Sequence, residues 1–197
     1  MNGHTIISHG DHRVDLATIT PDDIRENDII WHLSNLTRWT GALNEIVTVA
    51  NHCLYMDDLI GDYDPMGGDM ILPSAHRRLR KIVLWHDAAE AYLGEIRRGV
   101  KECLPMWRKL EAHVQGCVWQ HLGMGSPTEA EADFVKRLDD QSALREALQF
   151  GTPAQYASLV DYHEREAPPL EFVQRVPPCA RQEFRARIEE LGQPPRK

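Results

Sequence analysis

Apolar residues recur at helical spacing through most of this chain, and among them sits a run that a simple helix core would exclude, Leu84-Trp85-His86-Asp87-Ala88-Ala89-Glu90. In a continuous helix His86 and Glu90, at i and i+4, share a face, and Asp87 lies about 100° round from His86. The apolar neighbours Ile82, Val83, Leu84, Ala88 and Ala89 predict that this face is at least partly buried. An unpaired charge in an apolar setting is too costly to keep. The fold must therefore bring partners to this stretch from elsewhere in the chain, and a metal ion is one candidate.

A chain of 197 residues fits one domain and can bury a sizeable core. We read residues 1–197 as a single domain with a core at about 27–150, an N-terminal hairpin at 5–16 and a Pro-rich C-terminal extension at 151–197. The net charge of -8 disfavours a broad nucleic-acid surface, so no polymeric nucleic acid is expected as a partner, although a small anion could still find a local basic pocket. No apolar run approaches the ~20 residues of a membrane span. Met1-Asn2-Gly3-His4-Thr5 lacks the basic start and apolar core of a signal peptide, which predicts a cytoplasmic protein without a membrane partner. Cys53, Cys103, Cys117 and Cys179 form no CxxC pair and read as thiols of a reducing compartment.

Taken in order, residues 5–16 predict a short β-hairpin with Gly10-Asp11 near its turn. Thr20-Pro21-Asp22-Asp23 is a helix-start signal, and Asn27 or Asp28 can cap a short helix from Ile29 to about Leu36. Ile46, Val49, Ala50, Cys53 and Leu54 predict a helix from about Asn44 to Ile60 that carries His52. A Gly/Pro/Asp loop follows at Gly61–Asp69, then a helix from Ser74 or Ala75 to Leu93. Trp107, Leu110, Val114, Cys117, Val118 and His121 form a stripe expected to be core, with His113 and His121 structural. Thr128 to Phe150 predicts a further helix with Phe134, Leu138 and Ala147 inward, and Ala180 to Leu191 a closing charged one. The predicted fold is all-α with a small N-terminal β-hairpin.

His52, His86, Asp87 and Asp139, gathered from separate helices, form a mixed nitrogen and oxygen set suited to a borderline divalent ion. Spacing alone leaves other readings open. His52 could be a core histidine, Asp140 could replace Asp139, Trp39 could be an ordinary core aromatic, and Arg97, Arg98 and Lys101 could be a solvated face.

The order His…His-Asp…Asp on successive helices resembles the HD-domain superfamily of metal-dependent phosphohydrolases. Arg38-Trp39, Val49-Ala50-Asn51-His52-Cys53, His86 to Glu95 and Val135-Lys136-Arg137-Leu138-Asp139 resemble, in sequence order, its 5′-deoxynucleotidase (YfbR-like) branch. The stretch from Val14 to Arg38 is similar to bacterial and phage-encoded relatives, among them dATP triphosphohydrolases (DatZ-like). The likeness covers roughly residues 8–150. It implies an HD-domain helical bundle and a homo-oligomer acting on a small-molecule nucleotide, in the cytoplasm or in that of a phage host.

By that resemblance one divalent metal ion (Mn, Co, Fe, Ni, Zn or Mg) is held by His52, His86, Asp87 and Asp139. Glu90 and Glu95 are then catalytic, Glu90 handling a water or the leaving oxygen, and Arg38, Trp39, Arg97 and Lys101 meet substrate. The chain departs from the family at Asn51, where an acid is usual, at Glu95, one methylene longer than the usual Asp, and at Arg97-Arg98-Gly99, which replaces a Pro-Thr-Pro-like stretch. The function implied is hydrolysis of a deoxyribonucleotide phosphate ester or anhydride, by a 5′-deoxynucleotidase or a dNTP triphosphohydrolase. The departures at Asn51 and Glu95 motivate the alternative of a nucleotide-binding regulatory HD-domain protein with little or no turnover.

Overall fold

The computed structural model describes residues 4–61, 73–163 and 167–192. Two short antiparallel strands, β1 (Thr5–Ile7) and β2 (Arg13–Asp15), pair with Ile6 opposite Val14. Their connection turns at Gly10 and Asp11, both at positive φ, so the small hairpin sits where the Gly-Asp signal predicts. The remainder is helical, and the all-α class with its N-terminal hairpin holds. No helix among the described residues is long and apolar enough to cross a membrane.

The helices are α1 (Glu26–Asn35), α2 (Val49–Gly61), α3 (Pro73–Trp85), α4 (Glu90–Leu93), α5 (Arg98–Glu102), α6 (Pro105–His121), α7 (Glu129–Phe150), α8 (Pro153–His163) and α9 (Pro177–Gly192). At the hub lies α2, packed against α1, α3, α7 and α9. From Val49 to Asp57 every residue of it is buried, which is why a helix this short carries no solvated polar face. Around it close Ile29 and Leu33 of α1, Ile82 and Val83 of α3, Leu138 and Leu144 of α7, and Phe184 of α9. Phe184 meets Trp85 edge-on at 5.6 Å between ring centres. Emptying an aromatic site of this kind costs about 3–5 kcal/mol.

Several boundaries differ from those read in the sequence. The helix expected from Asn44 begins only at Val49, and Ile46, counted as inward, is 66% exposed. Residues 44–48 are instead irregular, bending at Asn44 and Glu45 before Thr48 bridges Thr37. Thr20-Pro21 starts only a three-residue turn, Pro21–Asp23, closed by a capping box. The stripe on α6 narrows to Val114, Cys117 and Val118, for Trp107 and Leu110 are half-buried and His121 is exposed. His113 and His121 meet the carbonyls of Ile19 and Pro21, a structural use. Within the Pro-rich stretch, α8 was not foreseen, and α9 starts earlier than Ala180. The expected Gly61–Asp69 loop lies, beyond Gly61, outside the described residues.

The helix expected to run unbroken to Leu93 stops at Trp85, and residues 86–89 form turns before α4. Ala88 and Glu90 bond back only three residues, to Trp85 and Asp87. His86 and Asp87 therefore stand on a tightened kink, and Glu90 begins a new helix.

Candidate metal centre

His52 is wholly buried on α2, and its Nδ1 lies 2.8 Å from Glu146 Oε1 and 2.9 Å from Ser142 Oγ on α7. The carboxylate can only accept, so Nδ1 carries the proton and Nε2 presents a lone pair. That lone pair faces Asp139 Oδ1 at 3.3 Å and Asp87 Oδ2 at 3.8 Å. His86 repeats the arrangement from the kink. Its Nδ1 donates to the Val83 carbonyl at 2.7 Å, and its Nε2 stands 3.3 Å from Asp87 Oδ2. The two rings are 5.3 Å apart and tilted by 50°.

Both Nε2 atoms are buried and make no hydrogen bond, as is Glu90 Oε2. Lone pairs and carboxylate oxygens at such distances repel one another unless a positive charge lies among them. Ligand atoms of His52, His86 and Asp87 fall within 4.8 Å of one another, and Asp139 joins them through its contact with His52. Two imidazole nitrogens whose far sides are anchored by a carboxylate and a carbonyl, with carboxylates between, are a donor set that fits one divalent ion. Asp140, the rival of Asp139, turns instead to Arg98 at 3.0 Å and Lys136 at 2.8 Å.

The electrostatics show how strongly the acids draw positive charge, a proton included, to this place. Burial works against charging His86, yet Asp87 beside it outweighs burial and raises its pKa well above the usual value. Burial would raise the Asp87 and Asp139 carboxyls, but the imidazoles and Arg38 hold both far below the usual carboxylate range. Glu90 goes the other way, since burial first and then the charge of Asp87 push it up to about 8.

Arg38 points into the same cluster. Its Nε lies 3.3 Å from Glu146 Oε2, its Nη1 3.6 Å from Asp87 and its Nη2 3.7 Å from Asp139. The Trp39 indole N–H donates to Glu146 Oε2 at 2.7 Å. Trp39, Thr40 and Gly41 all have positive φ, at 59°, 50° and 77°. For residues with a Cβ this left-handed backbone costs about 1–2 kcal/mol each.

The remaining residues singled out in the sequence ring the cluster. Glu95 accepts from the backbone N–H groups of Trp39 and Thr40 at 3.3 and 3.2 Å. Arg97 grips the Trp39 carbonyl at 2.7 Å, and Lys101 lies 3.2 Å from Glu90 and 2.5 Å from Glu111. Asn51 turns away, exchanging side-chain hydrogen bonds with the backbone of Arg175.

Glu146 escaped the sequence reading, although it binds His52, Arg38 and Trp39 together. Its signal was its position, seven residues after Asp139 with Ser142 between, on one face of α7. A separate cleft of about 560 Å³, lined by Arg25, Glu26, His121 and Arg185 among others, contains none of these residues.

The molecule is thus a helical protein built around a buried, carboxylate-rich pair of imidazoles. It is 32% identical over 143 residues to "Uncharacterized protein RCAP_rcc00048" of Rhodobacter capsulatus, covering 70% of this chain and 68% of that protein, and it belongs to that protein's family. It is also 28% identical over 106 residues to "Uncharacterized protein YfdR" of Escherichia coli K12. That match covers 54% of this chain and spans about half, 51%, of the Escherichia coli protein. No family model matches the chain.

Proposed function

We propose that this protein is an HD-type, divalent-metal-dependent phosphohydrolase acting on deoxyribonucleotides. The observation that carries the reading is the convergence of two buried, unpartnered imidazole Nε2 atoms with Asp87, Asp139 and Arg38. His52, His86, Asp87 and Asp139 would hold the ion, with Glu146 and the Val83 carbonyl fixing the two rings. A bound divalent ion supplies Lewis acidity and a water of lowered pKa. Arg38, already aimed at the cluster, offsets charge that develops on a phosphoryl oxygen, and its fork suits phosphate. Glu90, raised to about 8, keeps its proton near neutrality and has an unbonded oxygen with which to protonate a leaving group. The Trp39 indole, fixed through Glu146, offers a flat apolar surface to sugar or base.

The test is a screen of deoxy- and ribonucleotide mono- and triphosphates with Mn, Co, Mg and Zn, identifying the phosphate species released. Release of orthophosphate from a monophosphate, or of tripolyphosphate from a triphosphate, is the expected result. His86→Ala and Asp87→Ala should lose bound metal and at least about a thousandfold in turnover, equivalent to about 4 kcal/mol of barrier. Full turnover in either variant after its metal has gone would overturn the reading. Nucleotide binding without any release would favour the regulatory alternative.

A further inference from the structure

Glu95 reaches the centre only through the backbone of another segment. Gly94, at φ 83°, ends α4, and the extended stretch after it brings Glu95 and Arg97 to the same turn, Trp39–Gly41. Each oxygen of Glu95 takes one N–H, Oε1 that of Trp39 and Oε2 that of Thr40, while Arg97 holds the carbonyl between them with Nε and Nη2. The turn so gripped is one that L residues resist, and Thr40, being β-branched, resists it more than most. What it achieves is the placement of Arg38 and the Trp39 indole on Glu146.

We propose that Glu95 is a positioning residue: with Arg97 it clamps the left-handed Trp39–Gly41 turn and thereby aims Arg38 and Trp39 at the centre. Its extra methylene relative to aspartate supplies the reach to two successive N–H groups. The clamp stands on the geometry of the turn, while its effect on turnover rests on the phosphohydrolase reading.

Two measurements test it. Amide hydrogen exchange at Trp39 and Thr40 should quicken about tenfold or more in Glu95→Ala, as expected for coupled groups in contact. Unchanged exchange at both amides would overturn the clamp. In nucleotide turnover, Glu95→Ala should lower kcat/KM about tenfold, and adding Thr40→Gly should restore most of the loss, because glycine adopts positive φ without a steric cost. The Thr40 hydroxyl bond to the Trp39 carbonyl goes with that change, but Arg97 and the Ala42 N–H still hold the carbonyl. A double variant as slow as Glu95→Ala would overturn the proposal, since a relaxed backbone cannot replace a group that acts on the reacting atoms. Glu95→Gln, which keeps the volume and one acceptor, should fall between wild type and Glu95→Ala in both measurements. Absence of turnover in the wild-type protein would count against the phosphohydrolase reading alone, and the exchange result would still decide for or against the clamp.

Discussion

Two buried charge clusters hang on α2, five residues apart, and they are built on opposite terms. Around Asp57 every charge is matched. Arg80 forks onto both of its oxygens at 2.7 Å, Arg187 adds a third contact at 2.8 Å, and Arg187 and Arg175 go on to Asp58 and Glu183. Around His52 acids outnumber the arginine that faces them, and the imidazole Nε2 atoms have no partner. The first cluster is complete within the protein, tying α9 to α2 and α3. The second leaves acids in excess and two imidazole nitrogens without a hydrogen bond. Burial of ionisable groups therefore does not by itself mark a candidate site, whereas an unfilled valence among them does.

The sharpest way to break this contrast is to remove an acid from each cluster. Asp57→Ala takes from Arg80 both of its short contacts and from Arg187 one of three, and we expect denaturant titration to show a loss of about 3 kcal/mol, the low end for a broken buried pair, with metal content unchanged. Asp139→Ala should lose bound metal but cost the metal-free protein less, because Asp139 meets His52, Arg38 and Arg98 only at 3.3, 3.7 and 3.8 Å and is partly open to solvent. Equal losses in the two variants would erase the distinction.

Next in size is Glu146→Gln. It keeps the shape but weakens the hold on the His52 ring, so metal affinity should fall about 10- to 100-fold in calorimetric titration. Unaltered affinity would mean that His52 is oriented by packing alone.

The smallest effect is one of sign. Glu90 keeps its proton up to about pH 8 in the fold, whereas an unfolded chain releases it near about 4.3. The folded state thus binds more protons between those values, and Glu90's contribution to stability is complete below that window and declines as pH rises through it. Burial would raise Glu183 too, but Arg175 and Arg187 hold it below the usual range. Its contribution is complete above about pH 4.3 and is lost as pH falls through the lowered value. Stability curves of chelator-treated protein should therefore flatten on the neutral side in Glu90→Gln and on the acid side in Glu183→Gln. Matching changes on the same side would refute the assignment.

What could be read in advance follows from the range of the forces involved. The hairpin and the span of α7 are local, and local chemistry predicts them; the capping box that opens α7 at Thr128 is of the same kind. The break at His86–Ala89 is not local, for Ala88 and Ala89 favour helix and neither Gly nor Pro interrupts them. It comes from the demand that His86 and Asp87 both face His52, which no single-helix pattern encodes. Ile46 failed for a related reason, since an apolar residue one turn before a true stripe is indistinguishable from its first member. The left-handed turn at Trp39 and Thr40 was invisible because its only glycine, Gly41, comes after the two residues that bear the strain. Residues 52, 86, 87 and 139 were drawn together by the order they share with a known family, since spacing alone left Asp140 and a core role for His52 open, and Glu146 was passed over although it lies on the Asp139 face of α7.

Asn51, beside His52 in sequence, has an effect on the order of events at birth. Its amide trades hydrogen bonds with Arg175, the Tyr55 hydroxyl donates to the Leu170 carbonyl, and Arg187 reaches Asp57 and the Leu54 carbonyl. The helix that presents the first imidazole is thus gripped by residues translated well over a hundred positions later. A nascent chain that has exposed His52, His86 and Asp87 still lacks Asp139, Glu146 and the segment that braces α2. His52 and His86 therefore stand in their frame only once Arg175 and Arg187 have been made, a brace that local folding of α2 and α3 cannot supply.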